Sequence, residues 1–333
     1  MNYRSVADLN RDVRKWSTQL PGDLDLIVGV PRSGLLAANL LALHMNLPLT
    51  DVEGLCSGRI LSSGRRLASN GGSEERRKLR ALVVDDSMLS GIEMRKVRER
   101  VITSNLPHRI EYAVVYLNAS QLEKVDFWFE AVPVPRCFEW NILHHKVIEK
   151  SCMDIDGVLC RDPTEQENDD GGRYLDFIRG VGPKYIPTRN VGALVTCRLE
   201  KYREPTEEWL ERHGVKYDRL FMMDFPDKAS RIAAGSHAEY KAEIYRDTGA
   251  QLFIESSARQ AERIVELTGK PVFCTDLWEM IEPGRLPAAK RGTLEYIRQI
   301  FRAPLPLSTP PRIARQIRSK LRNWFANVQR RLR

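Results

Sequence analysis

Short apolar runs alternate with longer amphipathic stretches along the first half of the chain. Three runs of strand length and two stretches with helical spacing lie at residues 25–30, 80–84, 111–116, 34–45 and 91–103. An alternation of strand and helix is typical of a mostly parallel sheet with helices on both faces. The pattern therefore predicts a doubly wound α/β domain over residues 1–148. Residues 57–78 are rich in Gly, Ser and Arg, and a loop this long inside a domain is usually functional or disordered.

The second half repeats this alternation. Five apolar runs predict strands at residues 151–153, 193–195, 219–222, 251–254 and 271–273. They indicate a second doubly wound, mostly parallel domain over residues 150–282. Residues 283–311 are rich in proline around one short helical segment, 293–301, and are predicted to form a linker.

The last segment, residues 312–333, combines a regular apolar pattern with positive charge. Seven apolar side chains follow at intervals of three or four, with one adjacent pair: Ile313, Ile317, Leu321, Trp324, Phe325, Val328 and Leu332. This spacing places them on one face of a helix. A basic amphipathic helix with Trp and Phe is typical of a segment that lies on an anionic membrane surface, and we expect that role here. Docking onto a partner protein and RNA binding are the alternatives.

The positive charge of the chain is concentrated in this segment. The net charge is +8, from 52 basic and 44 acidic residues. The segment holds eight basic residues and no acidic one, so the rest has 44 of each sign. The balance argues against nucleic acid as a partner of the two domains. Without an apolar run of membrane-spanning length or a secretory signal, we expect a cytoplasmic protein, peripheral on the inner membrane face, with free thiols at its six cysteines.

Two acidic residues end one strand of the first domain and are followed by a small polar turn. The segment is Asp85, Asp86, Ser87, Met88, Leu89, Ser90 and Gly91. Such a turn before a helix offers backbone N–H groups and a helix N-terminus to a phosphate. The two carboxylates beside it can hold hydroxyl groups or a divalent ion.

A second junction of strand, turn and helix precedes it in the chain. It contains Val30, Pro31, Arg32, Ser33 and Gly34. Glycine permits close approach of the backbone, and an arginine supplies a charged fork for an anion. The spacing differs from the dinucleotide-binding fingerprint.

Together, the two segments resemble type I phosphoribosyltransferases. The resemblance covers roughly residues 1–148 and includes a long loop between the two motifs. It implies that Asp85 and Asp86 hold the ribose hydroxyls of phosphoribosyl pyrophosphate (PRPP), Asp86 through magnesium. It also implies that residues 87–91 bind the 5-phosphate and residues 30–34 the pyrophosphate.

The first domain departs from this family pattern at two positions, Leu89 and Glu93. An acid or threonine is usual at the first, and threonine or serine at the second, which argues against standard nucleobase salvage. The segment 135–145 would form the hood over the acceptor. Trp140, His144 and His145 lie there, and we expect structural roles for them.

The second domain begins with the strongest motif in the chain. A strand ends in Asp154 and Asp156, two residues apart, and Gly157 follows. One carboxylate can attack phosphorus while the other serves as general acid and base. A magnesium ion would neutralise the charge between nucleophile and phosphate.

This motif and those after it resemble haloacid dehalogenase superfamily phosphatases over roughly residues 150–281. The resemblance implies that Asp154 is the nucleophile and Asp156 the acid and base. It further implies that Thr196 binds the phosphoryl group, that Lys241 offsets the negative charges, and that Glu255 completes a magnesium site with the two aspartates. Only about 40 residues separate the first two motifs, which leaves no room for a large cap domain.

The pairing of domains favours one function over the rest. A phosphoribosyltransferase followed by a phosphatase suits the building of a plain ribofuranoside, because the 5-phosphate must leave after transfer. The chain resembles two-domain proteins of polysaccharide assembly. We therefore expect a bifunctional ribofuranosyltransferase that uses PRPP, Mg²⁺ and a lipid-linked sugar acceptor of a bacterial surface glycan such as O antigen or capsule. The alternatives are a nucleotide or cofactor phosphoribosyltransferase with a fused phosphatase, and a PRPP sensor that regulates a phosphatase.

Overall fold

The computed structural model describes residues 1–61, 78–235 and 237–284. It divides into two compact units, Met1–Asn141 and the chain from Ile142 onward. The sequence prediction divides the chain later, between residues 148 and 150. Most of the loop 57–78, the linker 283–311 and the helix 312–333 lie outside the described residues.

The first unit contains seven strands and four helices among residues 1–61 and 78–141. The strands are β1 (Asn2–Arg4), β2 (Leu26–Gly29), β3 (Leu49–Asp51), β4 (Arg80–Met88), β5 (Arg109–Leu117), β6 (Phe127–Ala131) and β7 (Arg136–Phe138). The helices are α1 (Val6–Ser17), α2 (Ser33–Met45), α3 (Val52–Ser57) and α4 (Ile92–Thr103), with short 3₁₀ segments at Ala119–Lys124 and Glu139–His144.

Five of these strands form one fully parallel sheet in the order β3-β2-β4-β5-β6. Alternate residues of the central strands point to opposite faces, so the sheet has an apolar cluster on each side. Ile27 and Leu82 belong to one cluster, and Val28 and Val83 to the other. The short strands β1 and β7 pair in parallel beside this sheet.

The second unit contains six strands and five helices in its described part. The strands are β8 (Ser151–Met153), β9 (Ala193–Leu199), β10 (Leu220–Met223), β11 (Leu252–Glu255), β12 (Val272–Cys274) and β13 (Glu279–Ile281). The helices are α5 (Gly172–Gly180), α6 (Arg203–Arg212), α7 (Lys228–Ala234), α8 (His237–Asp247) and α9 (Ala258–Thr268), with 3₁₀ segments at Lys146–Lys150 and Glu200–Tyr202.

These strands form a six-stranded sheet in the order β10-β9-β8-β11-β12-β13. All neighbours are parallel except β12 and β13, which are antiparallel. The strand β8 lies inside the sheet between β9 and β11. Parallel strands deliver their carboxyl ends to one edge, so the residues that follow β8, β9 and β11 meet there.

The predicted α/β class with parallel sheets is confirmed. All eight predicted strands are present, and β4 continues beyond residue 84 to Met88. The extension arises because β5 is equally long and pairs with β4 as far as Met88 and Leu117. The acidic pair 85–86 therefore lies within the strand, and the turn that follows is shorter than expected.

Candidate active sites

In the first unit, the two predicted loops meet at the carboxyl ends of β2 and β4. The register aligns Gly29 with Val84, and the Val30 amide donates to the Val84 carbonyl at 3.0 Å. Gly34 is buried against Asp85: a Cβ on Gly34 would lie 2.8 Å from Asp85 Oδ1 and 3.0 Å from Asp85 Cα. A side chain at Gly34 would push the loops apart, and the approach therefore requires glycine.

The carboxylate of Asp86 is at the centre of this site. Its side chain is 2% exposed, and both oxygens accept hydrogen bonds. The Ser33 hydroxyl donates to Oδ1 at 2.7 Å, and the Trp140 indole donates to Oδ2 at 2.8 Å. These two bonds connect both loops and the hood segment to one carboxylate.

Asp85 lies in a different environment. Its Oδ1 accepts the Asp86 amide at 2.9 Å. Burial raises the pKa of Asp85 well above its usual range, and the adjacent Asp86 carboxylate adds to the effect.

The turn after β4 has the features of an anion site. Leu89 and Ser90 are exposed, and Gly91 has φ 76°, in the left-handed region that favours glycine. Gly91 caps α4 without a side-chain hydrogen bond, so the first N–H groups of the helix remain available. Glu93 lies in the first turn, but its carboxylate pairs with Lys96 at 2.8 Å.

The earlier loop presents a cation on its surface. Pro31 and Arg32 are exposed and joined by a cis peptide bond. Ser33 turns inward to Asp86, as described above. Within the described parts of the chain, no ion pair engages the Arg32 guanidinium, so its fork is accessible to an anion.

In the second unit, a lysine bridges two carboxylates at the carboxyl ends of β8 and β11. Lys241 Nζ lies 2.5 Å from Asp154 Oδ2 and 2.7 Å from Glu255 Oε2. The two strands are neighbours, and the Asp154 amide donates to the Ile254 carbonyl at 3.0 Å. Gln260 Oε1 accepts a third bond from Lys241 at 3.1 Å. All three charged side chains are buried.

Burial determines the electrostatics of this triad. Burial raises the pKa of Asp154 to about 7. The positive charge of Lys241 opposes this increase, and the negative charge of Glu255 adds to it. Burial also works against the charge of Lys241, but the two carboxylates hold its pKa well above the usual range. One buried cation thus forms an ion pair with each of two carboxylates.

Asp156 is paired with an arginine that lies outside the predicted site residues. Arg198 Nη2 lies 2.6 Å from Asp156 Oδ1, and Arg198 Nε donates to both oxygens at 3.1 and 3.2 Å. Arg198 is fully buried in β9, two residues after Thr196. Because strand side chains alternate, Thr196 and Arg198 share a face, and this spacing is a signal that could have indicated it.

Thr196 and Arg231 complete the surroundings of the triad. Thr196 is fully buried, and its hydroxyl accepts the Arg198 amide at 3.2 Å. Arg231, on α7, donates to the Cys197 carbonyl at 2.5 Å, next to Thr196. Its Nε is buried without a hydrogen-bond partner. A second cation thus reaches the end of β9.

Two of the three hood residues have the structural roles expected for them, and one does not. His145 Nδ1 accepts the Val147 amide at 3.2 Å and caps the 3₁₀ segment there. His144 lies 3.2 Å from the Thr188 hydroxyl. Trp140 instead belongs to the first site through Asp86. Tryptophan places an N–H at the end of an apolar ring, which suits a carboxylate inside an apolar hood.

The predicted magnesium ligands are engaged by other partners in the second unit. Over residues 1–61, 78–235 and 237–284, no three His, Cys, Asp or Glu side chains are grouped to hold a metal ion. Arg198 covers both oxygens of Asp156, while Lys241 and two backbone amides cover those of Glu255. The arrangement does not fit magnesium unless Arg198 and Lys241 move away from these carboxylates.

The comparison with family models concerns the first unit. Residues 3–147 match the family model of the phosphoribosyl transferase domain. Solved structures similar to the chain include a Helicobacter pylori xanthine-guanine-hypoxanthine phosphoribosyltransferase, with 20% identity and a TM-score of 0.32 over 42% of this chain and 93% of that one. A Pyrococcus horikoshii purine phosphoribosyltransferase has 20% identity and a TM-score of 0.31, and the match covers 42% of this chain and 92% of that one. No curated protein matches the chain.

The first unit is thus an α/β domain with an acidic strand end beside a turn that has the features of an anion site. The match over residues 3–147 supports a phosphoribosyl transferase domain in this unit. The second unit has a parallel sheet with a buried cluster of acids and cations at one edge. No helix in the described part of the chain has the length and apolar character needed to cross a membrane.

Proposed function

We propose that the chain is a bifunctional ribofuranosyltransferase of surface polysaccharide synthesis. In the first reaction, an acceptor hydroxyl oxygen forms a bond to C1 of PRPP, the bond from C1 to pyrophosphate breaks, and the hydroxyl proton is released. In the second, Asp154 attacks the phosphorus of the ribosyl 5-phosphate, the bond from phosphorus to the sugar oxygen breaks, and the sugar leaves as an alcohol with a proton from Asp156. Water then hydrolyses the phosphoaspartate and releases phosphate.

One observation carries the proposal: a phosphoribosyl transferase domain shares its chain with a buried acid–lysine–acid triad at a sheet edge. The domain would make a ribosyl 5-phosphate. The triad provides a carboxylate with a neighbouring cation, the pair that attack on a phosphate ester needs. A plain ribofuranoside is the product that requires both steps.

In the transferase unit, the roles follow from the positions of the groups. The exposed Arg32 and the loop 30–34 would hold pyrophosphate, and the N-terminus of α4 with residues 87–91 the 5-phosphate. Asp85 and Asp86 would bind the ribose hydroxyls. Magnesium would enter this unit with PRPP, near Asp86, and would offset the phosphate charge. Ser33 keeps the Asp86 carboxylate in place.

In the phosphatase unit, Lys241 would keep Asp154 close to the phosphate and offset its charge. Arg198 must release one oxygen of Asp156 before that carboxylate can take or give a proton. Thr196 and Arg231 lie beside the same strand end and would contact the phosphoryl oxygens. Magnesium would bind in the phosphatase unit only if Lys241 or Arg198 moved away from its carboxylate partner.

The acceptor and the location belong to the same proposal. A glycan acceptor carried on a lipid would place the reaction at the inner membrane face. The basic amphipathic segment 312–333 would hold the enzyme there by its apolar face and its positive charge.

A PRPP sensor that regulates a phosphatase is the second candidate. It is favoured by Asp86, because both oxygens of this carboxylate are occupied by protein donors. A sensor would bind PRPP without releasing pyrophosphate. Pyrophosphate release with free nucleobases would instead favour a nucleotide enzyme with a fused phosphatase.

The test is pyrophosphate release from PRPP and Mg²⁺ by the full chain, with lipid-linked glycans and with free nucleobases as separate acceptors. Transfer to the glycan that depends on Asp86 supports the proposal, with Asp86→Asn as the variant. PRPP binding without pyrophosphate release under every condition contradicts it.

A further inference from the structure

A buried arginine in the first unit has almost no protein partner. Arg136 begins β7 and is 6% exposed. A guanidinium carries five N–H donors, yet its one hydrogen bond goes to the Val132 carbonyl at 3.4 Å. No carboxylate in the described residues lies within ion-pair distance of it. The other buried arginine in the described residues, Arg198, is paired with Asp156.

This isolation is costly for a charged group. Burial lowers the pKa of Arg136, and only the charge of Asp86 opposes the effect. An ionised side chain taken out of water without a counter-ion destabilises a fold, and natural proteins pair such charges. The missing counter-ion is therefore expected to come from a ligand.

The neighbours of Arg136 connect it to the transferase site. Its guanidinium carbon lies 5.5 Å from the centre of the Phe138 ring. Phe138 stacks on Trp140 with centroids 5.0 Å apart, and the Trp140 indole donates to Asp86. The cation thus belongs to the aromatic hood over Asp86. It lies on a different element from the two loops assigned to the phosphates of PRPP.

We propose that Arg136 binds an anionic group of the acceptor, a carboxylate or a phosphate, and so selects acidic or phosphorylated sugars over neutral ones. The proposal rests on the proposed transferase function and names the substrate class of that site. A guanidinium can hold either anion with two parallel hydrogen bonds.

The experiment compares three acceptors that share one ring: methyl glucuronide, glucose 1-phosphate and methyl glucoside. Transfer from PRPP is followed by pyrophosphate release, and binding is measured separately by NMR saturation transfer. The wild type should prefer at least one anionic acceptor by about tenfold to a hundredfold in kcat/KM, as expected for a hydrogen bond to a charged group. The preferred anion then distinguishes a uronate from a sugar phosphate.

The variants are Arg136→Met, Arg136→Lys and, as a control, Arg14→Met at an exposed position of α1. Arg136→Met should abolish the preference in both assays, and Arg136→Lys should keep part of it. Because Arg136 is an uncompensated charge, its removal should leave the melting temperature equal or higher. A lower melting temperature with an unchanged preference would show a structural role and overturn the inference.

The outcomes separate this inference from the proposed function. Binding of anionic sugars that depends on Arg136, without pyrophosphate release from any acceptor, supports the anion site and counts against the transferase. Equal use of neutral and anionic sugars by wild type and Arg136→Met overturns the anion site but keeps the transferase. A loss of PRPP affinity of about tenfold in Arg136→Met, with the acceptor preference intact, assigns the arginine to PRPP and also overturns it.

Discussion

The buried triad of the second unit gives a prediction with a defined magnitude. Lys241→Met removes the one positive charge that Asp154 and Glu255 share, at 2.5 and 2.7 Å. All three side chains are buried, so water cannot replace the lost contact. Removing one partner of a buried ion pair costs about 3–5 kcal/mol in the free energy of unfolding. With a slope of about 2 kcal/mol per molar urea, the unfolding midpoint falls by about 1.5–2.5 M.

The assay is urea unfolding of the full chain, with hydrogen exchange of peptides from β8 and β11 to isolate the second unit. Lys216→Met is the matched control, because Lys216 is exposed in the same unit. Adding Asp154→Asn and Glu255→Gln to Lys241→Met should recover most of the lost stability, since no buried charge then lacks a partner. A midpoint for Lys241→Met that equals the control would refute the reasoning about this triad.

Four further outcomes are expected. Gly34→Ala should destabilise the first unit by about 1–3 kcal/mol and reduce pyrophosphate release, because the alanine Cβ would lie 3.0 Å from Asp85 Cα. An unchanged melting temperature would contradict the close packing of Gly34 against Asp85. Arg198→Met should reduce hydrolysis of a phosphate ester more than Arg198→Lys does, and equal rates would exclude a role for the Asp156 pair. In metal-free buffer, the free energy of unfolding of the second unit should fall as the pH rises from about 4 to about 7. Burial raises the pKa of Asp154 to about 7, so the folded state retains this proton at pH values where the unfolded chain has lost it. Asp154→Asn should flatten this dependence of stability on pH, and an unchanged dependence would assign it to another group. Deleting residues 312–333 should release the protein from anionic liposomes without loss of activity on a soluble acceptor. Replacing Trp324 and Phe325 with Ser should weaken liposome binding more than removing two arginines does. A full-length protein that does not bind anionic liposomes would contradict the membrane role.

The sequence was informative where chemistry follows from position along a strand. Parallel strands carry the residues at their carboxyl ends to one edge, so the meeting of Asp154 and Glu255 could be anticipated from their motifs. The same holds for Asp86 and the loop around Ser33. In both cases a short local pattern and the alternation of strands and helices were sufficient.

Pairing over long distances in the chain could not be anticipated in the same way. Trp140 reaches Asp86 from 54 residues away, and Arg198 reaches Asp156 from 42. The alternation along β9 places Arg198 on the same face as Thr196, but neither this spacing nor the position of Trp140 identifies the carboxylate that each side chain contacts. For Arg136, the sequence could not show that a partner is missing. Only the structure shows that this arginine is buried and that no carboxylate of the described residues pairs with it.

The most direct test of the central claim is mass spectrometry of a lipid-linked glycan after incubation with PRPP and Mg²⁺. The wild-type enzyme should add a pentose, whereas Asp154→Asn should add a pentose phosphate, because an amide cannot attack phosphorus. Asp154→Asn should still release pyrophosphate at the wild-type rate. If the variant yields the same dephosphorylated pentose as the wild type, or if neither protein alters the glycan, the account of two successive reactions is wrong.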